Sequence, residues 1–209
     1  MINSPRGVWL VVRENGDAIV RVTGDTNARV FGSATVRAFE NATVTAYENS
    51  TVEASGHAVV HAHDHASVRA TASASVWAFE NATVRATDHA TVRATDQTTV
   101  QSFDSAYVLA TGDASVLAFG NASVDAYDHV SVVATGSASV LACDHASVMA
   151  TSSAYVEAFD HAYVEAHDHA SVEAYENSTV EAHDHASVRA TGSVTVHLHS
   201  TQVNLQVRP

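Results

Sequence analysis

The sequence is poor in several residue types on which common folds and sites depend. Its one cysteine, Cys143, allows neither an internal disulfide nor a cysteine-rich zinc site, and a free thiol on a strand is expected. The chain has 10 lysine and arginine residues against 23 aspartate and glutamate residues. These few cations form no stripe that could follow a phosphate backbone, so nucleic acid is not an expected partner.

Long apolar runs are also missing. No run approaches the roughly 18 residues of a membrane-spanning helix. Residues 1–6 lack the basic and then apolar order of a signal peptide. These absences predict a cytoplasmic protein without a membrane partner, unless the chain is a fragment of a larger exported or surface protein.

The 14 histidines make the charge sensitive to pH. Protonating all of them would change the formal net charge from −13 to +1 as the pH falls through roughly 6.5. We therefore expect solubility and self-association to respond to mild acid.

What the chain has in abundance is a short repeat. A valine stands at every eighth position from Val36 to Val196, and alanine follows two residues later except at Ser102 and Leu198. The octad is Ala-(Ser/Thr)-Val-x-Ala-x-(Asp/Glu/Gly)-(His/Asn/Ser). Alternation of period two predicts a strand with one buried face, and the last two positions are typical of a turn.

One octad cannot bury its Ala-Val-Ala face alone, so successive octads must coil and stack in parallel ladders. Either two or three octads could close a coil, and the thin valine and alanine interior favours two facing sheets. The turn residue four positions after the valine supports two octads, because it alternates between acidic and small at Glu48, Gly56, Asp64, Ala72 and Glu80. The sequence predicts an all-β fold, a parallel β-solenoid (β-helix) with 16 residues per coil and a flattened cross-section of two sheets.

The repeat also predicts where the chain changes character. Residues 1–33 break the octad but keep strand-like runs, and we interpret them as N-terminal cap strands. Residues 34–193 form the octapeptide-repeat solenoid, and residues 194–209 form a C-terminal cap strand.

A second, longer repeat, which we call the 40-residue echo, places the dipeptide Ala-Phe at 40-residue intervals, with the phenylalanines at Phe39, Phe79, Phe119 and Phe159. Forty is not a multiple of 16, so these copies are predicted on opposite sheets. We interpret the echo as a trace of five-octad duplication.

The octad at Ala46-Tyr47-Glu48-Asn49-Ser50-Thr51-Val52-Glu53 resembles the octapeptides of bacterial ice-nucleation proteins. The resemblance covers roughly residues 34 to 200 and implies a solenoid of 16-residue coils. It also implies ice binding, which in that family uses Thr-x-Thr ladders on a flat face. Here Thr-x-Thr around the valine occurs once, at Thr43-Val44-Thr45.

The residues that follow alternate valines form one outward column, whose order is cationic, then apolar, then acidic. Turned antiparallel against a copy of itself, the column pairs residues of opposite charge about an apolar centre, as a two-fold interface requires. Phe103 and Phe119 in the neighbouring column would widen that centre. The predicted dimer interface comprises Arg69, Arg85, Gln101, Leu117, Val133, Met149, Glu165, Glu181, Phe103 and Phe119.

Histidine beside aspartate is the pattern that suggests metal chemistry. His-Asp-His occurs twice at a spacing of 16 residues, so that the two copies should stack at one edge of the coil. Neutral imidazoles and carboxylates together suit zinc, nickel or copper. The candidate ligands are His167, Asp168, His169, His183, Asp184 and His185.

No nucleophile beside a base, no glycine-rich phosphate loop and no carboxylate pair in a pocket is visible in the sequence. We therefore expect no enzyme, no cofactor apart from a divalent metal ion, and no small-molecule substrate. The favoured function is a structural module that self-associates as an antiparallel homodimer or end to end into rods. The alternatives are an ice-binding or ice-nucleating protein and a divalent-metal-binding repeat protein.

Overall fold

A computed structural model describes residues 9–14 and 19–208, and every regular element in these ranges is a β-strand. The chain divides into two compact units, Met1–Gln101 with Ser105–Tyr107 and Ser102–Asp104 with Val108–Pro209. Within the described ranges, no helix is long and apolar enough to cross a membrane. The predicted all-β class is confirmed.

Most strands are four residues long, which is the length that one octad supplies between two turns. The first twelve are β1 (Trp9–Glu14), β2 (Ile19–Val22), β3 (Asn27–Gly32), β4 (Thr35–Ala38), β5 (Thr43–Ala46), β6 (Thr51–Ala54), β7 (Val59–Ala62), β8 (Ser67–Ala70), β9 (Ser75–Ala78), β10 (Thr83–Ala86), β11 (Thr91–Ala94) and β12 (Thr99–Ser102). The others are β13 (Tyr107–Ala110), β14 (Ser115–Ala118), β15 (Ser123–Ala126), β16 (Ser131–Ala134), β17 (Ser139–Ala142), β18 (Ser147–Ala150), β19 (Tyr155–Ala158), β20 (Tyr163–Ala166), β21 (Ser171–Tyr175), β22 (Thr179–Ala182), β23 (Ser187–Thr191), β24 (Thr195–Leu198) and β25 (Asn204–Arg208).

Successive strands alternate between two parallel sheets, which we call the odd-strand sheet and the even-strand sheet. In the first unit the pairing orders are β1-β3-β5-β7-β9-β11 and β2-β4-β6-β8-β10. In the second unit they are β15-β17-β19-β21-β23-β25 and β14-β16-β18-β20-β22-β24. Val132 lies opposite Val116 and Val148, each 16 residues away. Each unit is a parallel β-solenoid with two octads per coil, as predicted.

The core is made of the inward alanines and valines of every octad. In β17 and the residues before it, Ala138, Val140 and Ala142 are 0%, 1% and 0% exposed. Each buried valine contributes about 1.5 kcal/mol or more of transfer free energy. Small side chains on both flanks of each valine bring the two sheets close together, so the interior has room for few larger groups. Where serine replaces alanine at Ser178, its hydroxyl donates to the carbonyl oxygen of Tyr175 at 2.8 Å.

Each described turn from Gly24 to Gly192 contains one residue with left-handed backbone, in the octads four positions after the valine. Among the described residues, fifteen that are not glycine have φ between 50° and 61°, most of them aspartate or glutamate. At Gly136 the turns approach so closely that an added Cβ would lie 3.1 Å from the backbone nitrogen of Gly120. The turn composition predicted from the octad is therefore a conformational requirement.

The acidic turn residues have a second role, which the octad does not reveal. Their carboxylates accept a hydrogen bond from the backbone N–H of the turn residue one coil earlier. In the second unit, Gly112 donates to Asp128 at 3.0 Å, Asp128 donates to Asp144 at 3.2 Å, and Ser152 donates to Asp168 at 3.0 Å. The side chains thus extend the hydrogen-bonded ladder of the sheets across the turns, where backbone groups would otherwise depend on water.

The predicted caps contribute strands to the same two sheets where they are described. Trp9 lies opposite Asn27, a step of 18 residues, and Ser187 lies opposite Asn204, a step of 17. The coils at both ends therefore depart from the 16-residue rule. Residues 1–8, 15–18 and 209 of the predicted caps lie outside the described residues.

The 40-residue echo falls on alternate sheets, as predicted. Phe39 directly follows β4 and Phe119 follows β14, both in the even-strand sheet, whereas Phe79 follows β9 and Phe159 follows β19 in the odd-strand sheet. One octad design therefore serves both sheets.

Candidate functional site

The outward face of the even-strand sheet in the second unit carries three large apolar residues in register. Leu117 of β14 lies opposite Val133 of β16, which lies opposite Met149 of β18. Val133 is 38% and Met149 is 42% exposed, and Leu117 is half-buried. We call these three residues the apolar strip. Its side chains are held outward because the alternate positions of each strand face the core.

Two phenylalanines lie in the next outward column, two residues further along the chain. The rings of Phe103 and Phe119 stack with their centroids 4.9 Å apart and their planes within 9° of parallel. Both rings are half-buried. Ladder spacing of about 4.8 Å makes this stacking the natural arrangement of identical rings in adjacent coils. The phenylalanines belong to the same face as the apolar strip and broaden it.

The strip column continues into acidic residues. Met149 lies opposite Glu165 of β20, and Glu165 lies opposite Glu181 of β22. The side chains of Glu165 and Glu181 are 31% and 33% exposed. One face of the second unit thus passes from apolar to negatively charged along the coil axis.

The cationic members of the predicted interface lie on even-numbered strands of the first unit. Arg69 of β8 lies opposite Arg85 of β10, and Glu53 of β6 lies opposite Arg69. Both arginines are exposed, and Gln101 in β12 is half-buried. Arg37 donates from Nε to Glu53 at 2.7 Å, so this column carries an ion pair beside the two arginines.

Beyond the phenylalanines, the same outward column of the second unit carries three stacked histidines. The ring centroids of His167 and His183 are 4.4 Å apart, and those of His183 and His199 are 4.3 Å apart, with nearly parallel planes. Glu165 lies 2.9 Å from His167, measured between Oε1 and Nε2, and Glu181 lies 3.4 Å from Nε2 of His199. We call His167, His183 and His199 the histidine column.

The structure separates the six residues predicted as metal ligands. His167 and His183 belong to the histidine column, but His169 and His185 form a separate exposed pair with ring centroids 5.2 Å apart. Between them, Asp168 and Asp184 occupy the left-handed turn, where the Asp168 N–H donates to Asp184 at 3.2 Å. Asp184 also lies 3.8 Å from Nδ1 of His167.

In the part of the chain that the structure describes, two sets of three side chains bring metal-ligating atoms within 4.8 Å of one another. They are Glu165, His167 and His183, and Glu181, His183 and His199. Sequence reasoning named the histidines at 167 and 183 but missed both glutamates and His199. Glu165 could have been identified from the sequence. Residues two apart on a strand face the same side, and Glu165 is therefore expected to flank His167.

The odd-strand sheet of the second unit presents tyrosines hydrogen-bonded to glutamates. The hydroxyl of Tyr155 donates to Glu157 at 2.8 Å, and that of Tyr175 donates to Glu173 at 2.8 Å. Burial and then the hydrogen bond to Glu157 raise the pKa of Tyr155 well above its usual value. The hydrogen bond to Glu173, followed by burial, raises the pKa of Tyr175.

The raised pKa of Tyr155 predicts a loss of stability in alkali. Folding favours the protonated phenol, so its contribution to the free energy of unfolding is present below pH about 10 and is lost as the pH rises further. We expect part of the tyrosine absorbance change at 295 nm to appear together with loss of the β-sheet circular dichroism signal. In Tyr155→Phe that part should shrink. Full ionisation near pH 10 with an unchanged dichroism spectrum would contradict the prediction.

Cys143 follows β17 and is half-buried. Burial raises the pKa of its thiol, and the negative charges of Asp160 and Asp144 raise it further. The thiolate needed for nucleophilic chemistry is therefore disfavoured at this position.

Comparison of the chain with protein families, with characterised proteins and with solved structures finds no match. The site is therefore interpreted from its own geometry.

Proposed function

We propose that the protein is a non-enzymatic structural module that self-associates through the even-strand sheet of its second unit. The observation that supports this function is the apolar strip with the stacked phenylalanines beside it. Val133 and Met149 are large apolar side chains more than a third exposed, set in register on a flat sheet face. Contiguous exposed apolar surface of this kind marks contact surfaces in soluble proteins.

The proposed partner is a second copy of the chain, turned antiparallel. A two-fold axis between Leu117 and Val133 would place each of these residues against the other in the partner copy. The contact is then the same from both sides, which is the requirement for a closed dimer. Phe119 would border the centre, where aromatic side chains are enriched in protein interfaces.

Charge complementarity supports the antiparallel direction. In the order of the sequence, turning the column antiparallel against a copy of itself pairs Glu165 with Arg85 and Glu181 with Arg69. A parallel arrangement would instead place Glu165 against Glu165 and Arg85 against Arg85. Like charges face to face cost several kcal/mol, so the antiparallel arrangement is strongly preferred.

End-to-end association is a further part of the proposal. At the C-terminal end of the second unit, the side chains of Leu198 in β24 and Val207 in β25 are 50% and 69% exposed. These strands are the last in their sheets, and a strand edge with apolar side chains is a template for pairing with another chain. Two such edges in contact would join two molecules end to end, whereas rods require this edge to meet the opposite end of the next chain.

The mass of the protein in solution at neutral pH tests the proposal. A mass near twice the chain mass of 21.9 kDa supports the dimer, and larger species that grow with concentration support the rods. A single chain at high concentration contradicts both.

Ice binding is a second candidate, favoured by a column of hydroxyl groups and by the resemblance of the octads to those of ice-nucleation proteins. In the even-strand sheet, Ser115, Ser131, Ser147 and Tyr163 follow one another in register. The adjacent outward column is apolar and then acidic, so a flat lattice of hydroxyls and ordered water is interrupted.

Because of this interruption, we expect droplets of the protein solution to freeze at the temperature of buffer and to show no thermal hysteresis. Freezing several degrees above buffer would favour the ice-binding function over the structural one.

A further inference from the structure

The histidine column has the composition and spacing of a metal site. Its members are imidazoles whose ring centroids lie 4.4 Å and 4.3 Å apart from one coil to the next, and carboxylates lie beside them. The side chains of Glu165, His167 and His183 are 31%, 29% and 26% exposed. They are therefore shielded from solvent on most of their surface but remain open at the sheet face, where an ion can enter.

One atom of this cluster has no partner in the folded chain. Nε2 of His183 is buried and makes no hydrogen bond, and the nearest carboxylate oxygen, Oε1 of Glu165, is 4.0 Å away. A buried polar atom without a partner destabilises the folded state, so such atoms in folded proteins call for an explanation. A ligand that accepts the imidazole lone pair would supply the missing partner.

The geometry points to a site for one divalent transition-metal ion of the zinc class, held by Glu165, His167 and His183. A tetrahedral ion with bonds of about 2.1 Å holds its ligand atoms about 3.4 Å apart. The Nε2 of His167 and that of His183 lie 2.9 Å and 4.0 Å from the Glu165 oxygen. Small rotations of these partly exposed side chains would bring all three donors onto one ion. Two imidazoles and one carboxylate favour zinc, nickel or copper over calcium or magnesium.

A further carboxylate lies near one of the ligands. Oδ2 of Asp184 lies 3.8 Å from Nδ1 of His167, on the opposite side of the ring from Glu165. Metal-bound histidines commonly donate their second N–H to a carboxylate, which fixes the tautomer that leaves the other nitrogen free to bind. At 3.8 Å the two atoms are too far apart for a hydrogen bond, so Asp184 is a nearby carboxylate and not one of the three ligands.

The second triad, Glu181, His183 and His199, shares His183 with the first. Ions in both sites would be two like charges only a few ångströms apart, which is unfavourable in a partly buried location. The binding stoichiometry is therefore one ion per chain. All ligand atoms belong to one chain, so a single chain can hold the ion.

The test is isothermal titration of the full chain with zinc chloride at neutral pH, together with Co²⁺ absorption spectra that report tetrahedral coordination. The wild type is expected to bind one ion tightly. His183→Asn and the isosteric Glu165→Gln variant are each expected to weaken that binding about tenfold or more. The matched control is His185→Asn, which removes a histidine two residues away in the exposed pair and is expected to leave the tight site unchanged.

The proposal is overturned if the wild type binds no ion, if His183→Asn and Glu165→Gln retain wild-type affinity, or if His185→Asn loses as much affinity as they do. An affinity that rises with protein concentration would also overturn it, because the ion would then bridge two chains. Circular dichroism checks that each variant folds. If His183→Asn fails to fold, Glu165→Gln still tests the proposal.

Discussion

A double variant, Leu117→Arg with Val133→Arg, is expected to be a monomer at concentrations at which the wild-type chain is a dimer. Both residues lie at the centre of the proposed interface, on opposite sides of the two-fold axis. Each copy would then contribute two guanidinium groups to the same small area. Light scattering or sedimentation at neutral pH measures the change as a fall in mass to that of one chain.

The dimer is weakened because the introduced guanidinium groups would lose their water without gaining a carboxylate partner. In the proposed dimer, the apolar strips of the two copies cover each other and exclude water. Arginines at these positions would be buried against one another with no carboxylate nearby. Like charges brought face to face cost several kcal/mol, which corresponds to an association at least about a hundredfold weaker. The measurement should be made with a chelator present, because Glu165 belongs both to the proposed interface and to the proposed metal site.

A matched control is available on the opposite sheet. Leu141 of β17 is also a half-buried outward leucine, but its neighbours in register are Asp125 and Glu157. An arginine at this position would find carboxylates, and Leu141→Arg should leave the mass unchanged. If Leu141→Arg dissociates the dimer and the double variant does not, the interface lies on the odd-strand sheet and the proposed antiparallel contact is wrong.

Val140→Asp is expected to destabilise the second unit by about 4 kcal/mol or more. The Val140 side chain is 1% exposed and lies between two alanines, and the described residues place no cation in the core. A carboxylate placed there must be buried without a partner or must remain protonated, and either state is costly. For a chain of this size, that loss lowers the thermal midpoint by about 10 °C.

Ser139→Asp provides the comparison for Val140→Asp. Ser139 is the preceding residue of the same strand and is exposed. The same new side chain there faces solvent, so the thermal midpoint followed by circular dichroism should change by little. Equal melting of the two variants would mean that the assigned inward and outward faces of β17 are wrong.

The coil could be predicted from the sequence because the buried valine recurs at every eighth position from Val36 to Val196 without interruption. Each valine must face inward if its flanking alanines do, and the alternating turn residues then fix two octads per coil. Register follows automatically, since a shift by one residue would turn every valine outward. The repeat therefore predicts that Leu117, Val133 and Met149 share one column, and their pairing confirms it.

The arrangement within the turns was harder to predict. His167 and His169 are separated by a single residue, but that residue, Asp168, has a φ of 54°, and the two rings join different columns. The hydrogen bonds from turn N–H groups to acidic side chains one coil later were also not predicted. They depend on side-chain rotamers, which a repeat of residue types does not specify.

Because both sheets are built from the same octad, the chain could gain or lose either one octad or a pair of octads, with different consequences. Loss or gain of a single octad would leave every valine inward and every turn closed, so the solenoid would still fold. All residues beyond that point would, however, pass to the opposite sheet, and the column of Leu117, Val133 and Met149 would be cut wherever the change fell within it. The fold therefore tolerates insertions or deletions of eight residues. A binding surface on one sheet is preserved only when the length changes by sixteen residues, because each downstream residue then stays on the same sheet.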